Sequence, residues 1–156
     1  MSASSAIEEI FAAVPLLKRL SARQRSRLAR HATTRTYQSG DIIIREGDTG
    51  MALYVILTGV ARVTRASDAG HVVSLAEMGP ADFFGEMGLL DDVVRSATIT
   101  ASAPTECALL GRWDFQRELR DDPAIALALL PLLTERIRDL EARLSRGSSP
   151  ETGQSR

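Results

Sequence analysis

A carboxylate and a guanidinium nine residues apart, Glu86 and Arg95, are the side chains of this sequence best suited to recognising a small polar molecule. They lie within Phe84-Gly85-Glu86-Met87-Gly88-Leu89-Leu90-Asp91-Asp92-Val93-Val94-Arg95-Ser96-Ala97-Thr98-Ile99. The pattern predicts a short turn, about one and a half helical turns starting at Glu86, a loop, and a strand beginning at Arg95. Two glycines, Gly85 and Gly88, let the backbone approach a ligand closely. Helix N-terminal amides plus one arginine make an anion site. The carboxylate adds an acceptor for hydroxyl donors. An anion with hydroxyls describes a sugar phosphate or a nucleotide. Each charged residue also has a purely structural reading. Glu86 can cap its own helix, and Arg95 can pair with Asp91 or Asp92.

Other chemistries find little support. The two histidines, His31 and His71, stand apart from each other and from any metal-spaced partner, so both read as ordinary surface residues and no metal is expected. No nucleophile–base pair is evident, so the chain is not expected to be an enzyme. Cys107 is the single cysteine. It allows no intrachain disulfide or CxxC site, and its apolar neighbours make it a small core residue. Hydrophobic residues make up 44% and charged residues 25%, with a formal net charge of -1. That composition is globular and gives no overall drive toward nucleic acid or membrane. No apolar run approaches membrane-spanning length, and no secretory signal is seen at the N-terminus. A cytoplasmic setting is the expectation.

The elements that must position Glu86 and Arg95 can be read from periodicity. Residues 1–6 are small and polar and read as a flexible N-terminus. Ile7, Ile10, Phe11 and Val14 have helical spacing, ending at Pro15. Ser21 and Gln24 match a capping box, which starts a helix running to about His31. Lys18, Arg19, Arg23, Arg25, Arg27, Arg30 and Arg35 make this region basic. Without interleaved aromatics, and with Glu8 and Glu9 nearby, it reads as the solvated face of an amphipathic helix. From residue 32 to residue 110 the pattern becomes short strands separated by turn chemistry. Strands are expected at 33–37, 42–45, 53–57, 60–63, 72–75, 96–101 and 106–110. Turns fall at 39–41, 46–50, 67–70 and 79–82. That spacing predicts a mainly β fold with flanking helices, a jelly-roll-like β-barrel. After Gly111 the period is helical again. Trp113, Phe115 and Leu119 predict a short helix packed on the barrel by its aromatic rings. Asp122-Pro123 opens a final helix whose apolar stripe is Leu129, Leu133, Ile137, Leu140 and Leu144. Pro131 should kink or restart it. The folded unit is expected over 7–145, with a flexible tail over 146–156.

Several of these motifs, taken in order, resemble the cyclic-nucleotide-binding domain family. The resemblance is carried by Gly40-Asp41, Glu46-Gly47-Asp48, Tyr54-Val55-Ile56-Leu57-Thr58-Gly59 and Gly79-Pro80-Ala81-Asp82-Phe83-Phe84-Gly85-Glu86. Phe84 to Ala97 resembles the family's phosphate-binding cassette. The likeness covers about residues 10–145 and is similar to the sensor half of catabolite-activator-type regulators and to kinase regulatory subunits. It implies a β-roll with N-terminal helices, closed by a C-terminal lid helix, that binds cyclic AMP or cyclic GMP. It implies that Arg95 pairs with the cyclic phosphate and that Glu86 accepts the ribose 2′-hydroxyl. Gly85, Met87 and Gly88 would offer backbone amides, Ser96 a hydroxyl and an amide, and Ala97 an amide. Val73 and Leu75 would line the base side. Leu140, Glu141 and Arg143 are lid candidates by position only.

The sequence also departs from the family pattern. Val94 stands where many relatives have proline. Ser96 replaces the alanine of eukaryotic relatives, and a hydroxyl there does not choose between the two nucleotides. Residues 146–156 are too few and too polar for a DNA-binding helix-turn-helix, so no DNA partner is expected. The expected function is a stand-alone sensor, for cyclic AMP ahead of cyclic GMP, that moves its last helix and signals to a protein effector. A homodimer through that helix is a further expectation, and a nucleotide-independent interaction module is the alternative.

Overall fold

Strand alternation sorts the apolar residues into two cores. The computed structural model describes residues 3–147. Two helices, α1 (Ala3–Phe11) and α2 (Ala22–His31), lead into strands β1 (Thr33–Tyr37), β2 (Ile42–Ile44), β3 (Thr49–Gly50), β4 (Ala52–Thr58), β5 (Ala61–Ala66), β6 (Val72–Met78) and β7 (Phe83–Phe84). A 3-10 turn (Glu86–Leu89) follows, then β8 (Val93–Val94), β9 (Thr98–Ala101), β10 (Thr105–Gly111) and helices α3 (Arg112–Asp121) and α4 (Ala124–Gly147). The strands form two four-stranded antiparallel sheets, ordered β1-β10-β4-β7 and β2-β9-β5-β6, plus the ribbon β3-β8. This is the expected mainly β roll with flanking helices.

Period two along β4 and β10 divides the interior. Leu53, Val55, Ala108 and Leu110 face the helices and pack with Phe11, Leu16, Leu17, Leu28, Phe115 and Ile125. Ile56, Cys107 and Leu109 face the other way, into the roll, with Ile43, Phe84 and Ile99. The first core anchors the start of α4 and also takes Leu89 of the 3-10 turn; the second fills the roll.

Local chemistry explains most element ends. Ser21 and Gln24 form the expected capping box, with Gln24 N donating to Ser21 Oγ at 3.2 Å and Ser21 N to Gln24 Oε1 at 2.9 Å. Asp122 caps the start of α4, its Oδ1 accepting from Ala124 N at 3.2 Å.

Other expectations need correction. Helix α1 begins at Ala3, ahead of the apolar spacing that starts at Ile7. Thr49-Gly50 is not part of a turn but pairs with Val93-Val94. Trp113 is 70% exposed, so it does not pack on the barrel; of the three residues expected there, Phe115 and Leu119 do. Helix α4 runs through Pro131 without restarting. The carbonyl that loses its partner there belongs to Leu127, a solvent-exposed residue, so water can replace the missing bond. The apolar stripe of α4 also divides. Ile125, Leu129 and Leu132 are buried, whereas Ile137 and Leu140 are 56% and 58% exposed. The tail expected over 146–156 lies outside the described residues from 148 onward, and Arg146 and Gly147 close α4.

The basic N-terminal region is less solvated than its composition suggests. Arg27 pairs with Glu118 at 2.7 Å, Arg19 with Glu135, and Arg25 donates to the Leu20 carbonyl. His31 is not an ordinary surface residue. Its Nε2 lies 3.0 Å from Glu118 Oε1, in a network with Asp114 and Arg117 that joins α2 to α3. His71 is exposed at the β5–β6 hairpin, as expected.

Candidate functional site

The turn opening the anion site is set by Gly85, whose φ of 82° lies in the left-handed region. That bend starts the 3-10 turn, so the amides of Glu86 and Met87 have no partner inside it. The element is a single tight turn rather than the expected one and a half helical turns. Two hydrogen bonds close it: Gly88 N donates to the Gly85 carbonyl at 3.0 Å, and Leu90 N to the Met87 carbonyl at 3.0 Å.

Arg95 follows a strand instead of beginning one. Strand β8 ends at Val94, and β9 starts only at Thr98. The backbone of Arg95 is clamped by the turn after β2. Its N donates to the Asp48 carbonyl at 2.7 Å, and its carbonyl accepts from Gly47 N at 2.9 Å. Its guanidinium lies against two glycines. A methyl group placed on Gly50 would stand 2.5 Å from Arg95 Cζ, and one on Gly85 would collide with Arg95 Nη1. Nη2 donates to the Ala52 carbonyl at 3.0 Å, and Cζ sits 5.8 Å from the centre of the Tyr54 ring. Tyr54 is itself stacked on Phe84, with ring centres 5.0 Å apart.

Neither structural alternative for the two charged residues is realised. Asp92 pairs with Arg112, and Asp91 Oδ1 accepts from Asp92 N, so neither aspartate serves Arg95. Among the described residues Arg95 forms no ion pair. Burial holds its guanidinium below the ordinary arginine range; Tyr54 and Glu86 pull it upward, and the charge of Arg112 pushes it down again. Glu86 does not cap its turn, where Gly85 stands at the capping position with no side-chain bond. Instead its Oε1 faces Arg136 of α4, at 3.4 Å from both Nη1 and Nη2.

A cavity of about 360 Å³ brings the expected cassette residues together: Gly85, Glu86, Met87, Gly88, Arg95, Ser96 and Ala97 all line it. Its apolar wall is Ile44, Val63, Met78, Phe84, Val93, Val94 and Ile99. A pocket of that size accommodates a small ligand.

Val73 and Leu75 lie outside that wall, at 46% and 49% exposure. The reason is register. Val73 pairs with Arg65, two residues along β5 from the cavity-lining Val63, so it shares the cavity side but one step farther out. Leu75 sits at the register shift between Ala76 and Ser74, which breaks the alternation. Met78 and Val63 take the positions expected of them. Leu140, Glu141 and Arg143 are exposed and do not line the cavity.

The lid contact missed by sequence reasoning is Arg136, whose Nη1 also approaches Met87 Sδ at 3.2 Å. Its signal was available in part, since Arg136, Leu140 and Arg143 share one helix face at i, i+4 and i+7. Arg112 was missed altogether. No periodicity marks an arginine that follows a buried strand and turns its side chain inward.

Among the described residues there is no group of three or more His, Cys, Asp or Glu that could hold a metal, and no helix long and apolar enough to cross a membrane. A family model described as the cyclic nucleotide-binding domain matches residues 34–122. The chain is 39% identical over 110 residues to the cyclic AMP receptor protein of Thermus thermophilus, covering 70% of this chain and 51% of that protein. It is 39% identical over 106 residues to the cAMP-dependent protein kinase regulatory subunit of Yarrowia lipolytica, covering 68% of this chain and 28% of the relative. It therefore spans about a quarter to a half of the length of these curated relatives. The crystal structure of the N-terminal domain of a transcriptional regulator from Streptomyces coelicolor superposes with a TM-score of 0.81 at 31% identity, covering 94% of this chain and 99% of that one.

Proposed function

Since the chain belongs to the cyclic nucleotide-binding domain family, we propose that its cavity takes a cyclic purine nucleotide, cyclic AMP ahead of cyclic GMP, and that α4 reports occupancy to a protein partner. The observation that carries this reading is the state of Arg95. A partly buried guanidinium resting on one carbonyl, one ring face and two glycines has no carboxylate paired with it among the described residues. A cyclic phosphate is a monoanion whose exocyclic oxygens suit the guanidinium fork. Glu86 supplies the complementary acceptor for the ribose 2′-hydroxyl. Gly85, Met87 and Gly88 bring backbone close to the phosphate, with Ser96 and Ala97 on the other side. Met78, Val63 and Ile99 offer apolar surface to the base. The preference for cyclic AMP rests on what the relatives' names state that they bind, since Ser96 serves either nucleotide.

Binding would act on α4 through Glu86. In the structure that carboxylate is held by Arg136, so a ribose hydroxyl arriving at Glu86 changes the contacts of the helix at the same atom. A ligand that contacts α4 in one position more than in another shifts its population. The role is recognition and not catalysis, in a cytoplasmic setting.

The test is calorimetric titration with cyclic AMP and cyclic GMP, repeated on Arg95→Ala. Loss of a charge-assisted contact should weaken binding by about 1.5–3 kcal/mol. Equal affinity of the two proteins would remove Arg95 from the phosphate site.

The exposed apolar residues of α4 favour a second reading, an interaction module that works without nucleotide. A thermal-shift series separates the two. Ligand at 100 times its dissociation constant should stabilise the native state by roughly 2.7 kcal/mol. No shift with millimolar cyclic AMP or cyclic GMP supports the second reading.

A further inference from the structure

We infer that Arg112 is the positioning residue of the anion site, holding from behind Gly50, one of the two glycines against which Arg95 rests, together with its backbone neighbour Gly88. The inference builds on the nucleotide reading above and concerns a residue that does not line the cavity. Arg112 opens α3 and is only 9% exposed. A buried guanidinium is tolerated only when its donors are satisfied. Here Nε donates to the Gly88 carbonyl at 2.6 Å, and Nη2 to the carbonyls of Gly50 at 2.8 Å and Asp91 at 2.7 Å. Nη1 pairs with the Asp92 carboxylate. One side chain thus ties together β3, the 3-10 turn and the loop before β8. Its own amide donates to the Met51 carbonyl at 2.9 Å, which fixes the root of α3 to the same strand connection.

Gly50 is the link between what Arg112 holds and what Arg95 needs. Gly50 and Gly88 touch through their backbones: a methyl group on Gly88 would stand 2.8 Å from the Gly50 carbonyl oxygen. Gly50 in turn lies against the Arg95 guanidinium. The order is Arg112, then Gly88 and Gly50, then Arg95. Without the fork, three carbonyls on this layer lose their buried donor, and the spacing between the 3-10 turn and β3 is no longer set. Arg95 and the first amides of the turn then lose their common frame.

Charge adds to geometry. The side chain of Asp92 is 80% exposed, so water screens its compensation of Arg112. A cation remains behind the turn and is felt at Arg95 as like charge. An anion in the cavity relieves that repulsion.

The experiment uses the full chain and cyclic AMP in a double-mutant cycle of Arg112→Lys with Arg95→Ala. Lysine keeps the charge but cannot span four acceptors in the planar arrangement. Arg112→Lys should weaken cyclic AMP binding by about tenfold or more in the wild-type background. In the Arg95→Ala background the further loss should shrink to less than about threefold, because residues acting through one contact are not additive. A merely structural role predicts equal losses in both backgrounds, or a lowered melting temperature with affinity retained; either result overturns the inference. Should Arg112→Lys fail to fold, Asp92→Asn loosens the same fork from an exposed position. Its smaller loss should likewise disappear in the Arg95→Ala background, and persistence there overturns the inference. Wild-type protein that binds neither cyclic nucleotide at millimolar concentration sinks the nucleotide reading itself, and this role with it. Binding by wild type with unchanged affinity in Arg112→Lys and Asp92→Asn sinks only the inference.

Discussion

Gly50 is a stringent probe of the site at the level of single residues. Its φ is not left-handed, so its backbone accepts alanine; what forbids a side chain is the Arg95 guanidinium 2.5 Å from the added carbon. Gly50→Ala should therefore displace Arg95, weakening cyclic AMP binding about tenfold at a stability cost of about 1–3 kcal/mol. Calorimetry and a denaturant melt read the two separately, and unchanged affinity would show that the Gly50 wall does not place Arg95. Glu86 and Arg95 were legible in the sequence because their chemistry is unusual for a turn between strands. Arg112 and Arg136 were not. An arginine on a helix has the same sequence appearance whether it solvates a face or reaches into the fold. Only the pairing of Arg136 with Glu86, and of Arg112 with three carbonyls, distinguishes them.

Among the elements, β10 and α4 make different demands. Strand β10 is buried on both faces, and Cys107 lies on its roll side without exposure. Burial, with help from the nearby Glu106 charge, pushes the Cys107 thiol from its usual 9.0 up to about 11. The native protein should resist thiol reagents at pH 8 and react once unfolded; rapid native labelling would mean that β10 opens locally. The unfolded thiol ionises near 9.0 and the folded one near 11, so the unfolded chain binds fewer protons between them. The thiol's contribution to stability is then intact below pH 9 and is lost as pH rises toward 11. The strands were legible from their β-prone runs and turns, whereas the division of β4 and β10 between two cores emerged only from the packing. The two-residue pairing of β3 with β8 was not, because so short a ladder has no periodicity. The register shift in β6 was equally invisible, and it takes Leu75 out of the alternation along that strand. At this scale Arg136 also has a consequence. Arg136→Ala removes the contact between α4 and the 3-10 turn, and amide exchange in 136–147 should quicken. Exchange that stays at the wild-type rate would place the restraint on α4 elsewhere.

For the molecule as a whole, the position at which α4 leaves the first core decides how its two halves behave. Ile125, Leu129 and Leu132 pack with Phe11, Leu17 and Phe115, so this half belongs to the core. Beyond it the helix is held by polar contacts, Glu135 to Arg19 and Arg136 to Glu86. The apolar stripe read from the sequence shares only Leu129 with the buried face, Leu132 taking the place expected of Leu133, and spacing cannot say where a core ends along a helix. The two halves should differ in energy accordingly. Leu129→Ala removes buried volume and should cost about 2–5 kcal/mol. The double variant Ile137→Gln and Leu140→Gln should change monomer stability by no more than about 0.5 kcal/mol, as befits exposed sites. Denaturant melts at low micromolar protein compare them. A large loss in the double variant, growing as wild-type protein is concentrated, would mean that these side chains are covered by a second copy in solution. Helix α4 would then carry the signal of an occupied cavity across an interface between copies, with Arg136 at one end of the lever and Leu140 at the other.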